Sequence, residues 1–346
     1  MKWFLKHKFL TAFVLILLLL VGSVLGFVIS KLSLIDYDEG LPDEIQESLP
    51  MEAFSPETEP AGPGVDISGL EEMETAPVIP ETPIQENDNV VNILVLGTDA
   101  YSGALTDYAR SDCMILVSIN KTKKTVKLVS LERAMGVYMA TGEKAGEYDL
   151  LTHAFRWGGA KLVCDCVESH LRVNVDHYVR VTFTTVRTVV DAIGGIDIYL
   201  SEAEAGALAV DYPEIVPGWN HMNGQQALSF ARMRAIDSDW QRVERQREVV
   251  LAAVQALKGA SLKTLNHLLD ETLPLIQTNL SMLEIADLVL YAPNFLSSEF
   301  DQMTIPKQGT YGYKEGITGF AVDYEVNSQI LQDFLYGSDK EENGEP

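Results

Sequence analysis

The chain has 346 residues, of which 26 are Lys or Arg and 50 are Asp or Glu, so its formal net charge is −24. This acidity excludes a general nucleic-acid-binding protein, which needs a basic surface. A hydrophobic share of 47% excludes a wholly disordered chain. Three cysteines, Cys113, Cys164 and Cys166, are too few for a disulfide framework and do not fit a zinc-finger pattern, so we expect buried thiols.

An apolar run near the N-terminus, residues 9–29, is long enough to cross a bilayer as a helix. Lys2, Lys6 and Lys8 precede it and only Lys31 follows closely. The positive-inside rule therefore predicts a cytoplasmic N-terminus, residues 1–8, and an extracellular remainder. The alternative is a cleaved signal peptide ending at Gly26, but its apolar region would be unusually long.

Residues 30–90 are predicted to form an acidic, Pro-rich spacer. Positions 36–90 hold sixteen acids, no Lys or Arg, and eight of the fourteen prolines. Such a segment buries too little apolar surface to offset its ordering entropy. We therefore expect an extended linker, an extracellular domain over 91–338, and a disordered tail over 339–346.

The remaining chain alternates between strand and helix patterns. This alternation favours an α/β fold, namely a three-layer α/β/α sandwich around a mixed central sheet. Apolar runs and turn signals predict strands in chain order at Val91–Leu96, Cys113–Asn120, Thr125–Leu131, Tyr178–Thr182, Ile196–Leu200 and near Met303. Helical patterns predict helices at Leu162–Leu171, Thr185–Ile193, Gln225–Phe230, Gln241–Leu257, Leu262–Ile276, Met282–Leu296 and Val326–Tyr336.

Five of the eleven arginines lie within one short stretch that contains no lysine: Arg232, Arg234, Arg242, Arg245 and Arg247. An all-arginine cluster in an acidic protein is typical of phosphate or carboxylate recognition, because the guanidinium fork binds such oxygens bidentately. Arg242 and Gln246 share a helix face, and Asp239 lies near the start of that helix. A solvated charged helix face explains the same spacing equally well.

A second group comprises Asp99, Arg110 and Asp112. Asp99 follows the first strand through a Gly-Thr pair, and Asp112 opens the next strand. Ligands of open α/β sheets bind at the carboxyl ends of strands, and two carboxylates there can hold one Mg²⁺ ion. Arg133, at the end of the third strand, can join them. Helix capping or turn formation by the two Asp residues is the alternative interpretation.

Other catalytic signatures are weak or missing. His153, in the segment THAFRWGG, is a candidate acid or base, although a structural role is the more common one for such a histidine. The sequence has no G-x-S-x-G, Walker A, H-E-x-x-H or G-x-G-x-x-G motif. Serine hydrolases, P-loop nucleotidases and zinc proteases therefore lose support.

Several ordered blocks resemble the LytR-CpsA-Psr (LCP) family of bacterial cell-wall assembly proteins. The resemblance covers roughly residues 90–258, and the apolar run lies where that family has its anchor. It rests on NILVLGTDA, RSDCMILVSIN, VSLER, LTHAFRWGGAKL, VDHYVRVTF, VDAIGGIDIYL and, most specifically, GQQALSFARMRAIDSDWQRVERQREVV at 224–250.

The resemblance implies a membrane-anchored phosphotransferase of the cell-wall side of a bacterium, typically Gram-positive. Such enzymes move a glycopolymer with one phosphate, for example wall teichoic acid or capsule, from undecaprenyl pyrophosphate to peptidoglycan. By position it implies Asp99 and Asp112 as ligands of Mg²⁺ or Mn²⁺. It implies pyrophosphate binding by Arg110, Arg133, Arg232, Arg234, Arg242 and Gln246, and catalytic roles for Arg110, Arg133, Arg232, Arg234 and Asp239.

The chain departs from the family pattern at two places. Glu132 and Ala134 replace the Pro and Asp of S-I-P-R-D, and Leu150 replaces the Lys of K-L-N-H-A. Two further functions therefore stay open. One is a hydrolase of polyprenyl or nucleotide pyrophosphates, and the other is a non-catalytic, lipid-binding or regulatory wall protein.

Overall fold

The apolar runs that predict strands form the centre of one mixed sheet. The computed structural model of the protein describes residues 29–37, 70–73, 76–98, 109–233, 236, 239–297 and 300–337. Within this part of the chain, seven strands pair in the order β1-β10-β7-β2-β3-β4-β11. Their bounds are β1 Asp36–Tyr37, β2 Val90–Thr98, β3 Ser111–Asn120, β4 Thr125–Leu131, β7 His177–Thr182, β10 Gln277–Thr278 and β11 Phe300–Ile305.

Three pairs of short strands lie outside the main sheet. They are β5 Gly136–Tyr138 with β6 Tyr148–Leu150, β8 Ile196–Leu200 with β9 Gly218–Met222, and β12 Tyr311–Gly312 with β13 Ala321–Val322. The helices are α1 Leu151–Leu171, α2 Phe183–Ile193, α3 Glu202–Leu208, α4 Gly224–Arg232, α5 Asp239–Lys258, α6 Leu262–Thr272, α7 Met282–Ser297 and α8 Tyr324–Tyr336.

Helices cover both faces of the sheet because alternate residues of its central strands are apolar on both sides. Leu94 and Leu96 of β2 belong to the main apolar cluster, together with residues of α1 and α8. Ile93 faces the other way, into a cluster that includes Leu251 of α5 and Leu288 of α7. Strand β2 runs parallel to β7 and antiparallel to β3. The predicted mixed sheet with helices is confirmed.

Two helix boundaries differ from the predicted ones for identifiable reasons. Helix α1 begins at Leu151, well before the predicted start, and contains a break where Gly159 adopts a φ of 63°. Glycine tolerates this left-handed conformation, so the chain continues into a second helical segment. Helix α6 ends at Thr272 and a 3₁₀ turn, Leu273–Leu275, follows. Pro274 lies in that turn, and a proline inside a helix removes a backbone hydrogen bond.

Parts of the predicted spacer lie against the domain. Strand β1 pairs in parallel with β10 at one edge of the main sheet, and isolated bridges join Glu72 to Tyr313 and Gln85 to Val173. The boundaries of anchor, linker and tail stay predictions, since residues 1–28, 38–69 and 338–346 lie outside the described part. No helix within the described residues is long and apolar enough to cross a membrane.

The three cysteines are free thiols. Burial raises the pKa of Cys113, Cys164 and Cys166 to about 12 in each case. These thiols are therefore protonated at neutral pH and unreactive as nucleophiles, because the thiolate is the reactive form.

Lowering the pH from 6.5 to 4 is expected to destabilise the fold through His170. This imidazole is buried, and its Nε2 accepts a hydrogen bond from the Tyr138 backbone N–H at 3.0 Å. Burial lowers the pKa of His170 from 6.5 to about 4. Between pH 6.5 and pH 4 the unfolded chain binds a proton at this histidine that the folded chain does not. The free energy of unfolding therefore decreases as the pH is lowered, by up to about 3 kcal/mol.

Urea unfolding at several pH values measures this effect, with His170→Gln as the control. The difference in unfolding free energy between wild type and variant should shrink as the pH falls from 6.5 to 4. A difference independent of pH over that interval would contradict the assignment to His170.

Candidate active site

One rim of the sheet collects the strand ends that carry the candidate site residues. Thr98, the last residue of β2, pairs with Ser111 of β3 and with Thr182 of β7. Since β4 is antiparallel to β3, its carboxyl end reaches the same rim. A register shift lies between Gly97 and Thr98, and bulges of this kind often re-aim side chains beside active sites.

Gly97 is required at this bulge because the neighbouring strand passes very close. A Cβ atom there would lie 2.8 Å from the Cβ atom of Cys113, which is too short for two carbon atoms. Any larger residue would push β2 and β3 apart at the point where the rim begins.

Asp112 and Arg133 form an ion pair at this rim. Arg133 Nη1 donates to Asp112 Oδ1 at 3.0 Å, and their side chains are 16% and 15% exposed, respectively. The carbonyl of Arg133 also accepts a hydrogen bond from the Thr152 backbone N–H at 3.1 Å, which ties the segment after β4 to the start of α1. Two of the predicted site residues are therefore in direct contact.

Helix α5 brings two more predicted residues to the start of β3. Arg242 is only 2% exposed, and Gln246 Nε2 lies 3.5 Å from the Asp112 carbonyl oxygen. Burial raises the pKa of Cys113, whereas the Arg242 charge lowers it and the Asp112 charge raises it. Both charges therefore act on the Cys113 sulfur, so Arg242 and Asp112 lie near the same short segment of β3.

Arg232 and Arg110 lie at the same end of the sheet. Arg232 is the last residue of α4 and is exposed, with its Cζ 4.2 Å from the centre of the Phe183 ring. Phe183 directly follows β7, whose last residue pairs with Thr98. Arg110 directly precedes β3 and is partly buried.

The structure does not describe the side chains of three predicted site residues. Asp99 and Arg234 lie outside the described residues, and Asp239 is described only as the first backbone position of α5. Thr98 and Ser111, the neighbours of Asp99 and Asp112 in the chain, are nevertheless paired across β2 and β3. Within the described residues no group of three or more His, Cys, Asp or Glu side chains is arranged to hold a metal ion.

Two arginines of the cluster, Arg245 and Arg247, bond to the surrounding fold rather than to other site residues. Arg245 Nη2 donates to the Met233 carbonyl at 2.8 Å. Arg247 Nη1 donates to Ser130 Oγ at 3.1 Å and to Thr304 Oγ1 at 3.0 Å, joining α5 to β4 and β11. These two side chains hold the helix in place, whereas the Arg242 charge lies near Cys113 of β3.

Arg180 reaches the rim through its side chain and was not among the predicted site residues. It lies in β7, is 2% exposed, and donates from Nε to Thr98 Oγ1 and from Nη1 to Gln277 Oε1, both at 3.3 Å. The sequence signal for this residue is an arginine at an inward position of the strand HYVRVT, in which inward and outward residues alternate.

His153 has a structural partner. Its Nδ1 lies 2.8 Å from Asp149 Oδ1, and Trp157 Nε1 donates to the other carboxylate oxygen at 3.1 Å. Burial would raise the pKa of Asp149, but the hydrogen bonds from His153, the Leu150 backbone and Trp157 lower it overall. The group fixes the first turns of α1.

The residues that depart from the family pattern surround the segment after β4. Glu132 is fully buried, and its Oε1 accepts a hydrogen bond from the Ala134 backbone N–H at 3.4 Å. Burial raises the pKa of Tyr311, and the Glu132 charge raises it further. The Tyr311 ring packs 5.0 Å from that of Trp240, the second residue of α5. A buried carboxylate therefore lies beside Arg133, where the family pattern has proline.

Comparison with known proteins identifies relatives of similar length and fold. TagU of Enterococcus faecalis, a polyisoprenyl-teichoic acid–peptidoglycan teichoic acid transferase, is 31% identical over 251 residues, which cover 71% of this chain and 79% of TagU. TagT of Bacillus subtilis, a transferase of the same description, is 30% identical over 249 residues, covering 70% of this chain and 74% of TagT.

The fold agrees with that of a solved relative. The structure of TagT bound to LI-WTA matches with a TM-score of 0.58 and 28% identity, covering 73% of this chain and 94% of that one. A model of the LytR_cpsA_psr family matches residues 67–334, well over half of the sequence. The chain therefore belongs to the LytR_cpsA_psr family.

Proposed function

We propose that the protein transfers a phosphate-linked glycopolymer from a polyprenyl pyrophosphate carrier to peptidoglycan. The contact between Asp112 and Arg133, with Arg242 and Gln246 beside the same segment of β3, carries this proposal. The names of the relatives TagU and TagT support teichoic acid as the cargo and peptidoglycan as the acceptor.

The geometry suits phosphoryl transfer, which depends mainly on positioning and charge stabilisation. A hydroxyl oxygen of the acceptor would form a bond to the phosphorus next to the sugar. The bond from that phosphorus to the bridging oxygen would break, undecaprenyl phosphate would leave, and the hydroxyl proton would pass to solvent or a nearby carboxylate. Arg133 and Arg242 supply permanent positive charge for the diphosphate oxygens.

The carboxylate of Asp112 suits a hard divalent cation. Asp112 offers carboxylate oxygens at the rim. Asp99 directly follows Thr98, and Thr98 pairs with Ser111, the residue before Asp112. We propose that both hold Mg²⁺, or Mn²⁺ with similar oxygen ligands. When bound, the ion would neutralise charge on the diphosphate oxygens. The ion pair with Arg133 restrains the position of the Asp112 carboxylate.

The sequence supports a proposal for the cellular arrangement. We propose that residues 9–29 anchor the chain in the cell membrane, with the N-terminus cytoplasmic and a three-layer α/β/α domain on the wall side of a bacterium. A substrate that remains lipid-linked requires an enzyme at the membrane surface. The acidic chain is not expected to bind nucleic acid.

The test is incubation of the full-length protein with a lipid-pyrophosphate-linked saccharide and peptidoglycan fragments, followed by mass analysis. A phosphodiester-linked product supports the proposal, and we expect Arg133→Ala and Arg232→Ala to abolish it. Release of the free phosphorylated saccharide, with peptidoglycan unmodified, would favour the hydrolase instead. Substrate binding without turnover would favour a non-catalytic wall protein.

A further inference from the structure

Two aromatic side chains are exposed next to each other on the hairpin of β8 and β9. Trp219 is 73% exposed and Tyr199 is 58% exposed. They lie directly opposite each other in the antiparallel ladder, and their ring centres are 5.6 Å apart, with an angle of 77° between the ring planes. Among the side chains that the structure describes, no other aromatic one is exposed. We define Tyr199 and Trp219 as the aromatic pair.

The opposite face of the hairpin holds it in the fold. Ile196, Ile198 and Leu200 are buried in one apolar cluster with Val190 of α2 and Phe230 of α4. Because side chains alternate between the two faces of a strand, the aromatic pair lies on the outer face. A cross-strand aromatic contact stabilises a hairpin, but this contact leaves more than half of each side chain in water. Apolar side chains exposed in contact with each other, rather than singly, indicate an interaction site.

Hydrogen-bonding groups lie beside the aromatic pair on the same outer face. Asp197 and His221 form the adjacent outward pair of the ladder, and their side chains are 72% and 63% exposed. His221 Nδ1 lies 2.8 Å from Asp197 Oδ1, and its Nε2 lies 2.9 Å from the Gly194 carbonyl oxygen. The outer face therefore combines aromatic surface with polar groups that are open to solvent.

The charge around the hairpin restricts the kind of ligand. Residues 188–231 contain no Lys or Arg and six acids, namely Asp191, Asp197, Glu202, Glu204, Asp211 and Glu214. A surface of one sign repels ligands of the same sign. Anionic lipid headgroups and the phosphates of a teichoic acid are therefore disfavoured, whereas an uncharged ligand is compatible with this surface.

We propose that the aromatic pair binds the sugar backbone of the peptidoglycan acceptor. The face of an aromatic ring carries partial negative charge, so it attracts the weakly positive C–H groups on the face of a sugar ring. Asp197 and His221 lie where they can bond to the hydroxyl and amide groups at the edge of that sugar. The inference rests on the proposed function, which supplies peptidoglycan as acceptor, and adds the surface that holds its glycan strand.

Two helices connect the hairpin with the candidate site. Helix α2 begins at Phe183, beside the rim, and leads into β8. Helix α4 follows β9 and ends at Arg232, whose guanidinium packs on the Phe183 ring. The eleven residues of α2 place the hairpin roughly 16 Å from the rim. A strand of several sugars spans this distance and a single sugar does not, so the aromatic pair favours polymeric acceptor over short fragments.

Calorimetric titration of full-length protein in detergent tests the proposal. The probe is peptide-free glycan strands prepared from peptidoglycan without teichoic acid. Trp219→Ile combined with Tyr199→Ile keeps an apolar surface and strand propensity but removes both rings, and should weaken binding by roughly tenfold. The matched control is Leu283→Ser, which removes an apolar side chain that is 82% exposed on α7 and should bind as tightly as the wild type.

Three results would overturn the proposal: no binding of the strands to the wild type, equal affinity in the Ile variant, or an equal loss in the Leu283→Ser control. Sedimentation with phosphatidylglycerol vesicles is the companion measurement, and vesicle binding that disappears in the Ile variant would identify a lipid surface instead. The titration contains no lipid-linked donor, so its outcome is independent of turnover. Glycan binding without transfer would count against the proposed function alone.

A measurement on the native protein decides the matter if the Ile variant does not fold. Hydroxyl radicals oxidise exposed tryptophan and methionine, and mass analysis of peptides locates the oxidation. The glycan strands should lower the oxidation of Trp219 at least threefold and leave that of Met282 unchanged, since Met282 is exposed on α7 outside the hairpin. Equal oxidation of Trp219 with and without the strands would contradict the proposal.

Discussion

Replacing Asp112 with Asn is expected to lower the rate of glycopolymer transfer by about 100- to 1,000-fold, the loss usual for one group that stabilises charge in a transition state. The amide keeps the size of the side chain but removes its negative charge. Arg133 then lacks the carboxylate that orients it at 3.0 Å, and the proposed cation loses one of its two ligands. Initial transfer rates at saturating Mg²⁺ measure the effect.

The chain offers a closely matched control for this substitution. Asp165 on α1 is 16% exposed and forms an ion pair with Lys161, so it equals Asp112 in exposure and in having a basic partner. Asp165→Asn should leave the transfer rate within a factor of two. Similar losses in both variants would show that the effect of Asp112 is a general cost of removing a paired carboxylate, and its place in the site would be rejected.

The central strands could be predicted because their chemistry is local. Strand Val90–Thr98 contains the predicted run Val91–Leu96, whose apolar residues suit a strand covered on both faces. The hairpin of β3 and β4 follows from two apolar runs around a polar turn. Short strands such as Gly136–Tyr138 escaped prediction because three residues carry no periodic pattern.

The site could be predicted only in part, because spacing does not show which way a long side chain turns. Arg242, Arg245 and Arg247 follow one another on a single helix, yet the Arg242 charge lies near Cys113 of β3 whereas Arg247 bonds to Ser130 and Thr304. Neighbouring elements set these directions. The edge strand at Asp36 was not predicted, because its partner Gln277 lies far along the chain. The acidic composition of this segment indicated only a linker.

Restoring the family Asp at position 134 alone is expected to destabilise the protein. Ala134 is buried, and its backbone already donates to the fully buried Glu132. A second carboxylate beside Glu132 would be either charged without a partner or forced to take up a proton. Leaving a buried charge without its partner typically costs about 3–5 kcal/mol. Thermal and urea unfolding of Ala134→Asp measure the loss, and Ala134→Ser controls for size and polarity without charge.

The second departure from the family pattern, Leu150, can show whether charge or crowding destabilises the Ala134→Asp variant. A Cβ atom on Gly319 would meet both the Leu150 side chain and the Ala134 carbonyl, so positions 134 and 150 border one small space. The family pattern has Lys at 150, and Leu150→Lys should therefore recover at least half of the stability lost in Ala134→Asp. A double-mutant cycle gives this coupling as an interaction energy. Additive effects would show that Asp at 134 and Lys at 150 do not interact, and would contradict the expected recovery.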